Sequence, residues 1–374
     1  MDGSRRQGQC SATPPRLHRA GSGLAGALFI LILHPDRGWA SSRDINRSSL
    51  DAKWAGSQAC SECHPDKASA LETPMGRALA RPEDAQVLRA HPRLSFRDGR
   101  YAYDIFSTAS GSDCSVTDGT RTLSAPIVWA VGYGNAGQTY VLRYRGHYFE
   151  SQVSYYAEAQ GLGITVGHSR QPPRHLEEAM GYPVDETSLR QCLNCHATSA
   201  VWEGRLALDQ MSPGVGCERC HGPGAAHIAA VRAGNFRNLR IINPGRFSAR
   251  KVTGLCASCH RTGQDVLQLS VRGAGTVRFQ GYRLERSRCY NPNDPRITCT
   301  ACHDPHRPLE RIATRYDARC LACHEGRSKH ARTCPIGTHD CVSCHMPKVR
   351  VPEADATFRD HWIRIAKPDK PYPD

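Results

Sequence analysis

Fourteen of the 18 cysteines fall into seven copies of one pattern, Cys-x-x-Cys-His. The copies are Cys60/Cys63/His64, Cys192/Cys195/His196, Cys217/Cys220/His221, Cys256/Cys259/His260, Cys299/Cys302/His303, Cys320/Cys323/His324 and Cys341/Cys344/His345. On a helical turn, positions i and i+3 share a face. The two thiols of each copy can therefore add to the two vinyl groups of one haem, while the next imidazole reaches the iron. Zinc also takes Cys-x-x-Cys pairs, but in twos, and it has no need of a histidine directly after each one. Seven is an odd number of pairs. The motifs predict seven covalently attached haems c, with the seven motif histidines as proximal iron ligands.

Electron-transfer haems usually carry a second axial ligand, so the remaining histidines matter. Nine of the 18 lie outside both the motifs and the first 40 residues: His91, His147, His168, His175, His227, His306, His330, His339 and His361. His227 in CHGPGAAH and His306 in CHDPH follow motifs on Gly/Pro turns that can fold the chain back over a neighbouring haem. His330, His339 and His361 lie in the motif-dense end and complete the distal candidates. The other four have a commoner fate as surface or hydrogen-bonded imidazoles, and Met75 in TPMGRAL is either a thioether ligand or a gap-filler.

Four cysteines stand outside the pattern: Cys10, Cys114, Cys289 and Cys334. In an oxidising compartment a Cys289–Cys334 disulfide is the favoured pairing, with Cys114 left as a free thiol.

Around these motifs the chain must supply scaffolding. Only 39% of the 374 residues are hydrophobic and 7% aromatic, whereas Gly and Pro number 33 and 24, so much of the chain should be irregular, with cofactors filling its interior. The first motif is separated from the other six by a long gap. In that gap LSFRDGRYAYDIF places Asp98-Gly99 between alternating apolar residues, and TYVLRYRGHYFESQVSYY does the same around Gly146. The last three motifs begin at Cys299, Cys320 and Cys341, a 21-residue period. The expected fold is mainly α and irregular, with a β-rich insert between the first and second motifs. Its expected parts are a signal peptide at 1–40, a first haem-binding segment at 41–92, the insert at 93–170 and a haem-rich domain with six motifs at 171–374, closed by a loose polar tail. The tyrosines Tyr133, Tyr140, Tyr144, Tyr148, Tyr155 and Tyr156 of the insert read as strand residues packing across a sheet, a redox-active role being the alternative.

The first 40 residues carry Arg5, Arg6, Arg16 and Arg19, then the apolar run Leu24–Leu33, then Gly-Trp-Ala before Ser41, which is the pattern of an export signal cleaved after Ala40. The ten-residue run is shorter than the roughly 20 residues that cross a bilayer as a helix. A mature, periplasmic or otherwise exported bacterial protein that does not span the membrane is expected. Formal charge is +14, and losing five Arg and two Asp with the leader leaves +11. Two propionates per haem would add about 14 negative charges, so the basic composition is no argument for a nucleic-acid partner.

The stretches GCERCHGPGAAH (216–227) and CVSCHMPK (341–348), supported by GSQACSECH, SRCYNPNDPRITCTACHDPH and FRDHWIRI, resemble the tetrahaem cytochrome c of ammonia oxidisers. That group lies within the wider hydroxylamine oxidoreductase superfamily, and the likeness covers about residues 54–365. The resemblance implies a periplasmic electron-transfer role, with His227 and His306 as distal ligands. The Cys-x-x-Cys-Lys haem of the related nitrite reductases does not occur in this chain.

The leading expectation is thus an electron carrier or relay between a membrane quinol-linked donor and other cytochromes or exported redox proteins. The alternative is an oxidoreductase acting on a small nitrogen or sulfur compound at one open-site haem, with Arg143, Arg145 or Arg174 binding an anion. A third is a subunit docked in a larger conduit.

Overall fold

The computed structural model describes residues 53–325, 333–351 and 356–367. The expected signal peptide at 1–40, the distal candidate His330 and the tail from Pro368 lie outside the described residues.

Helix α1 (Ser57–Cys63) carries the first thiol pair. After the short strand β1 (Leu79–Ala80) and helix α2 (Gln86–Ala90), the chain enters a meander of antiparallel strands. These are β2 (Arg93–Asp98), β3 (Tyr101–Thr108), β4 (Gly111–Thr117), β5 (Thr122–Val131), β6 (Gly137–Tyr144), β7 (His147–Tyr156) and β8 (Gly161–Ile164). β1 pairs with the end of β5, and β9 (Gly181–Val184) pairs with the start of β7, making nine strands. β5 bends at a bulge between Ile127 and Trp129, and β2 comes back beside β8, so the sheet curls almost into a barrel.

The alternation in β3 shows why. Tyr101, Tyr103 and Ile105 point to one face and are almost completely buried, whereas Phe106 on the other face is 58% exposed. With Leu94, Val116, Tyr140, Leu142 and Val153 they form a core that the sheet shares with Val87 and Leu88 of α2 and with the helix at Leu176–Met180. At the β6–β7 turn Arg145 and Gly146 both take positive φ, 50° and 84°, as a two-residue turn matched to strand twist requires.

A mainly α fold is therefore overturned. The sheet is the largest element, and the helices run from only four residues to twelve. Motif counting and Gly/Pro content weighted the expectation towards helix and loop, while this segment buries enough apolar surface to form its own core.

Helices follow in the order α3 (Leu176–Met180), α4 (Glu186–His196), α5 (Cys217–His221), α6 (Ala225–Arg232), α7 (Ala249–His260), α8 (Gly263–Leu269), α9 (Gln280–Glu285), α10 (Cys299–Cys302), α11 (Asp317–His324) and α12 (Cys341–His345). Several starts are capped by side chains: Asp185 Oδ1 accepts from Ser188 N at 2.8 Å, and Thr262 with Asp265 forms a reciprocal box. Apolar side chains join the sheet to the rest of the chain. Leu79, Trp129 and Val141 on its outer face pack against Leu189 and Leu193 of α4, and Tyr156 packs with Val277, Val349, Val351 and Ala356. Among the described residues, no helix is long and apolar enough to cross a membrane.

Candidate haem-binding sites

All seven Cys-x-x-Cys-His motifs lie on short helices or at the ends of longer ones, α1, α4, α5, α7, α10, α11 and α12, so each thiol pair shares a helical face. Their burial differs. Cys63, Cys192, Cys302 and Cys344 are exposed, whereas the other ten motif thiols are partly buried. The surroundings are most open at Cys344. Helix α12 has only five residues and buries one of them, Val342, so Cys341 is half-covered while Cys344 and its neighbour Ser343 face solvent.

Every cysteine among the described residues is a free thiol. The favoured Cys289–Cys334 disulfide is therefore not formed. Cys289 lies near Cys323, whereas Cys334 is held by the N–H groups of Ile336 and Gly337, which lower its pKa.

Thiols of different motifs are neighbours. Cys60 meets Cys217, Cys195 meets Cys259, Cys256 meets Cys299 and Cys320 meets Cys341. Cys220 lies near Cys259, and Cys302 near Cys320. The motifs thus form one unbroken series, first to third to fourth to fifth to sixth to seventh, with the second attached at the fourth. Burial, then Cys217 and Glu218, push the Cys60 thiol up to about 11.

The imidazoles are also brought together. His64 faces His227 with ring centroids 6.5 Å apart, His221 faces His306 at 6.1 Å, and His303 faces His361 at 6.2 Å. The rings are tilted by 16°, 21° and 45° respectively. These separations are too long for direct stacking, which in this chain puts His168 3.9 Å from Tyr182. They match another geometry. A metal–imidazole nitrogen bond is about 2 Å long and the ring centre lies about 1.1 Å further on, so two imidazoles across one metal have centroids about 6.2 Å apart. Among the described residues, no second imidazole stands in this relation to His196, His260 or His345.

Backbone carbonyls decide which nitrogen of each ring is available. Nδ1 of His196 lies 3.0 Å from Ala78 O, that of His221 2.9 Å from Ile242 O, and that of His345 3.0 Å from Arg364 O. The same holds for His227 with Leu239 O at 2.7 Å and His361 with Arg359 O at 3.1 Å. A carbonyl only accepts, so Nδ1 carries the proton and Nε2 keeps its lone pair for a metal. Nδ1 of His303 lies 3.5 Å from Tyr316 Oη, which donates to Glu310 O at 2.8 Å. Nδ1 of His260 lies 3.3 Å from Gln280 Oε1. Burial lowers the pKa of His196, His221 and His303, and burial followed by His303 takes His361 to about 4, so these rings stay neutral and able to ligate. The donor set fits haem iron.

The other histidines sit elsewhere. His168 is buried between Gln152 Oε1 at 2.9 Å and Glu150 Oε2 at 3.2 Å, with both nitrogens engaged. His91 Nε2 lies 3.4 Å from Tyr155 Oη, and His175 caps α3 by accepting from Glu178 N. His147 is exposed on β7 and His339 is exposed before α12. Met75 is at the surface.

Four residues central to these sites were not singled out from the sequence. Glu218 and Asp317 are buried carboxylates between motif helices, and Arg283 and Asp360 form a buried ion pair beside His361. An acidic residue inside a Cys-x-x-Cys pair was the only available hint of the first.

These thiol pairs and imidazoles, together with the sequences around them, are those of a multihaem c-type cytochrome, a class that holds haem c covalently and moves electrons. Residues 164–222, which include the second and third motifs, match the family of cytochrome c554 and c-prime. A stretch of 181 residues is 26% identical to the multihaem cytochrome MtrA of Shewanella baltica (strain OS185), covering 44% of this chain and 47% of that protein. The chain thus spans about half the length of this curated relative. No solved structure matches it.

Proposed function

We propose that the protein is an exported, periplasmic electron relay carrying seven haems c, which passes electrons from a membrane quinol-linked donor to other exported redox proteins. Each haem, when bound, supplies a one-electron iron couple. The protein's part is to attach, ligate and space the haems. The observation that carries this reading is the set of three imidazole pairs, His64/His227, His221/His306 and His303/His361, at 6.1 to 6.5 Å. An iron closed on both faces exchanges electrons and leaves no place for a substrate. The unbroken series of motif thiols supports a relay, because it keeps every site next to another. Exposed Phe236, Leu239, Leu309 and Ile312, which follow His227 and His306 closely in the chain, supply apolar surface of the kind a haem face covers.

A second reading, redox chemistry on a small nitrogen or sulfur compound, has one observation in its favour: among the described residues, no imidazole faces His196, His260 or His345. The deciding experiment is electron paramagnetic resonance of the oxidised holoprotein, made in a host with cytochrome c maturation, together with a haem-to-protein ratio. Seven haems per chain, all low-spin, support the relay. A stoichiometric high-spin signal that shifts on adding nitrite or hydroxylamine moves the assignment to an enzyme, and a ratio well below seven removes the haem count.

A further inference from the structure

Two buried carboxylates lie between motif helices in the same arrangement. Glu218, within the third motif on α5, is 3% exposed. Its Oε1 accepts from Ala55 N at 2.8 Å and Gly224 N at 2.7 Å, and its Oε2 accepts from Gly56 N at 2.9 Å. Gly56 immediately precedes α1, which carries the first motif, and Gly224 immediately precedes α6, which carries His227. One side chain therefore fixes the starts of the two helices whose imidazoles, His64 and His227, face each other. The bond is returned, since Cys217 N donates to Ser57 Oγ at 3.1 Å.

Asp317, at the start of α11 and 8% exposed, does the same between the sixth and seventh motifs. Its Oδ1 accepts from Cys341 N at 2.9 Å and its Oδ2 from Asp340 N at 2.7 Å. In both cases the joined helices bring thiols of two motifs together, Cys60 with Cys217 and Cys320 with Cys341. A carboxylate bonded to backbone N–H groups at a helix start is a strong, charge-assisted clamp, and one clamp on two helices fixes their distance and angle.

We propose that Glu218 and Asp317 are positioning residues that lock haem-bearing helices in pairs, the first motif with the third and the sixth with the seventh, and thereby set the inter-haem geometry within each pair. This rests on the haem assignment made above. Neither residue touches iron. Each acts through the helices it joins.

The test uses the full-length holoprotein with Glu218→Gln, Asp317→Asn and the double variant. The readouts are haem content, the bisignate Soret circular dichroism of closely packed haems, and the midpoint potentials. Each single variant should keep its haems and lower the bisignate amplitude by roughly twofold, with the two effects adding in the double variant because the pairs are separate. Glu218→Gln should also produce a high-spin fraction from the His64/His227 site, which Asp317→Asn should not. Wild-type Soret dichroism and potentials in both single variants would overturn the proposal. Should Glu218→Gln fail to fold, Ser57→Ala, which removes only the returned bond, must still reduce the Soret signal, and an unchanged signal there refutes the clamp. Failure of the haem assignment is distinguishable, because the wild-type protein would then lack haem at these motifs.

Discussion

The guanidinium of Arg283 and the carboxylate of Asp360 meet through two parallel hydrogen bonds, Nε to Oδ1 at 2.9 Å and Nη2 to Oδ2 at 2.7 Å, with both side chains fully shielded from solvent. The pair ties α9 to the segment that presents His361. Around it, Trp362 N donates to Asp360 Oδ1 at 3.0 Å, Ile363 N to Ser287 Oγ at 2.8 Å, and Arg364 Nη1 to Asp360 Oδ2 at 2.6 Å. Arg283, Arg286 and Arg364 all lie over the Trp362 ring, 4.7 to 5.2 Å from its centre. Such a lattice holds a backbone turn in one place, and the turn carries a ligand.

Breaking a buried ion pair from one side leaves the other charge uncompensated, at a cost of about 3–5 kcal/mol. Asp360→Asn should therefore lower the melting temperature and convert the haem at His303 from low-spin to a high-spin fraction, since His361 loses its support. Thermal melts followed at the Soret band, with resonance Raman spin-state markers, check both. The paired change Arg283→Met with Asp360→Leu should cost less stability than Asp360→Asn, because it removes the fully buried guanidinium together with its carboxylate and leaves only the more exposed Arg364 to be resolvated.

The three facing imidazoles make a separable prediction. His227→Ala, His306→Ala and His361→Ala should each turn one haem high-spin and leave the others low-spin, read by spin quantitation in electron paramagnetic resonance. His168→Ala should leave the haem spectrum unchanged, because both of its nitrogens are spent on Gln152 and Glu150. A haem change in the His168 variant, or none in the other three, would contradict the ligand assignment.

The sequence showed the chemistry more clearly than the architecture. Cys-x-x-Cys-His is a local pattern, and one helical turn suffices to orient its three side chains, so no tertiary information was needed to read it. How deep each thiol sits is not local, and the exposure of Cys344 follows from how little packs on α12. The alternation Tyr101, Tyr103, Ile105 is as local as the motifs. The size of the sheet was not, because β1 and β9 join it only through pairing with β5 and β7 across many residues. Which imidazole faces which is also a tertiary fact: His227 and His306 each follow one motif and face the histidine of another. Glu218 and Asp317 look like ordinary surface acids until the N–H groups they bind, as far away as Ala55 for Glu218, are in place.

Acid should weaken the Asp317 clamp. Burial alone would raise its pKa, but the N–H groups of Cys341 and Asp340 outweigh burial and hold the carboxyl below its ordinary value. A lowered carboxyl pKa means that the folded protein binds fewer protons than the unfolded chain. The stabilisation is therefore fully present above about pH 4 and is lost as pH falls through the folded-state value. The difference in melting temperature between wild type and Asp317→Asn should be constant from neutral pH down to about pH 5 and shrink below about pH 4. A difference independent of pH throughout would show that the charge of Asp317 contributes nothing.

In the sheet core, Tyr140 is completely buried and its hydroxyl has no hydrogen-bond partner among the described residues. Burial drives its pKa far up, with Cys114 and Tyr155 nearby adding to the effect, so the hydroxyl stays protonated. A buried hydroxyl that gives up its bonds to water without replacing them costs about 1–3 kcal/mol. Tyr140→Phe keeps the ring that packs in this core and removes only that oxygen. The substitution should leave the haem spectrum unchanged and stability equal or higher, by up to about 1–2 kcal/mol. Melting of the two holoproteins side by side measures it, and a clear loss of stability in the phenylalanine variant would mean that the hydroxyl is bonded in solution.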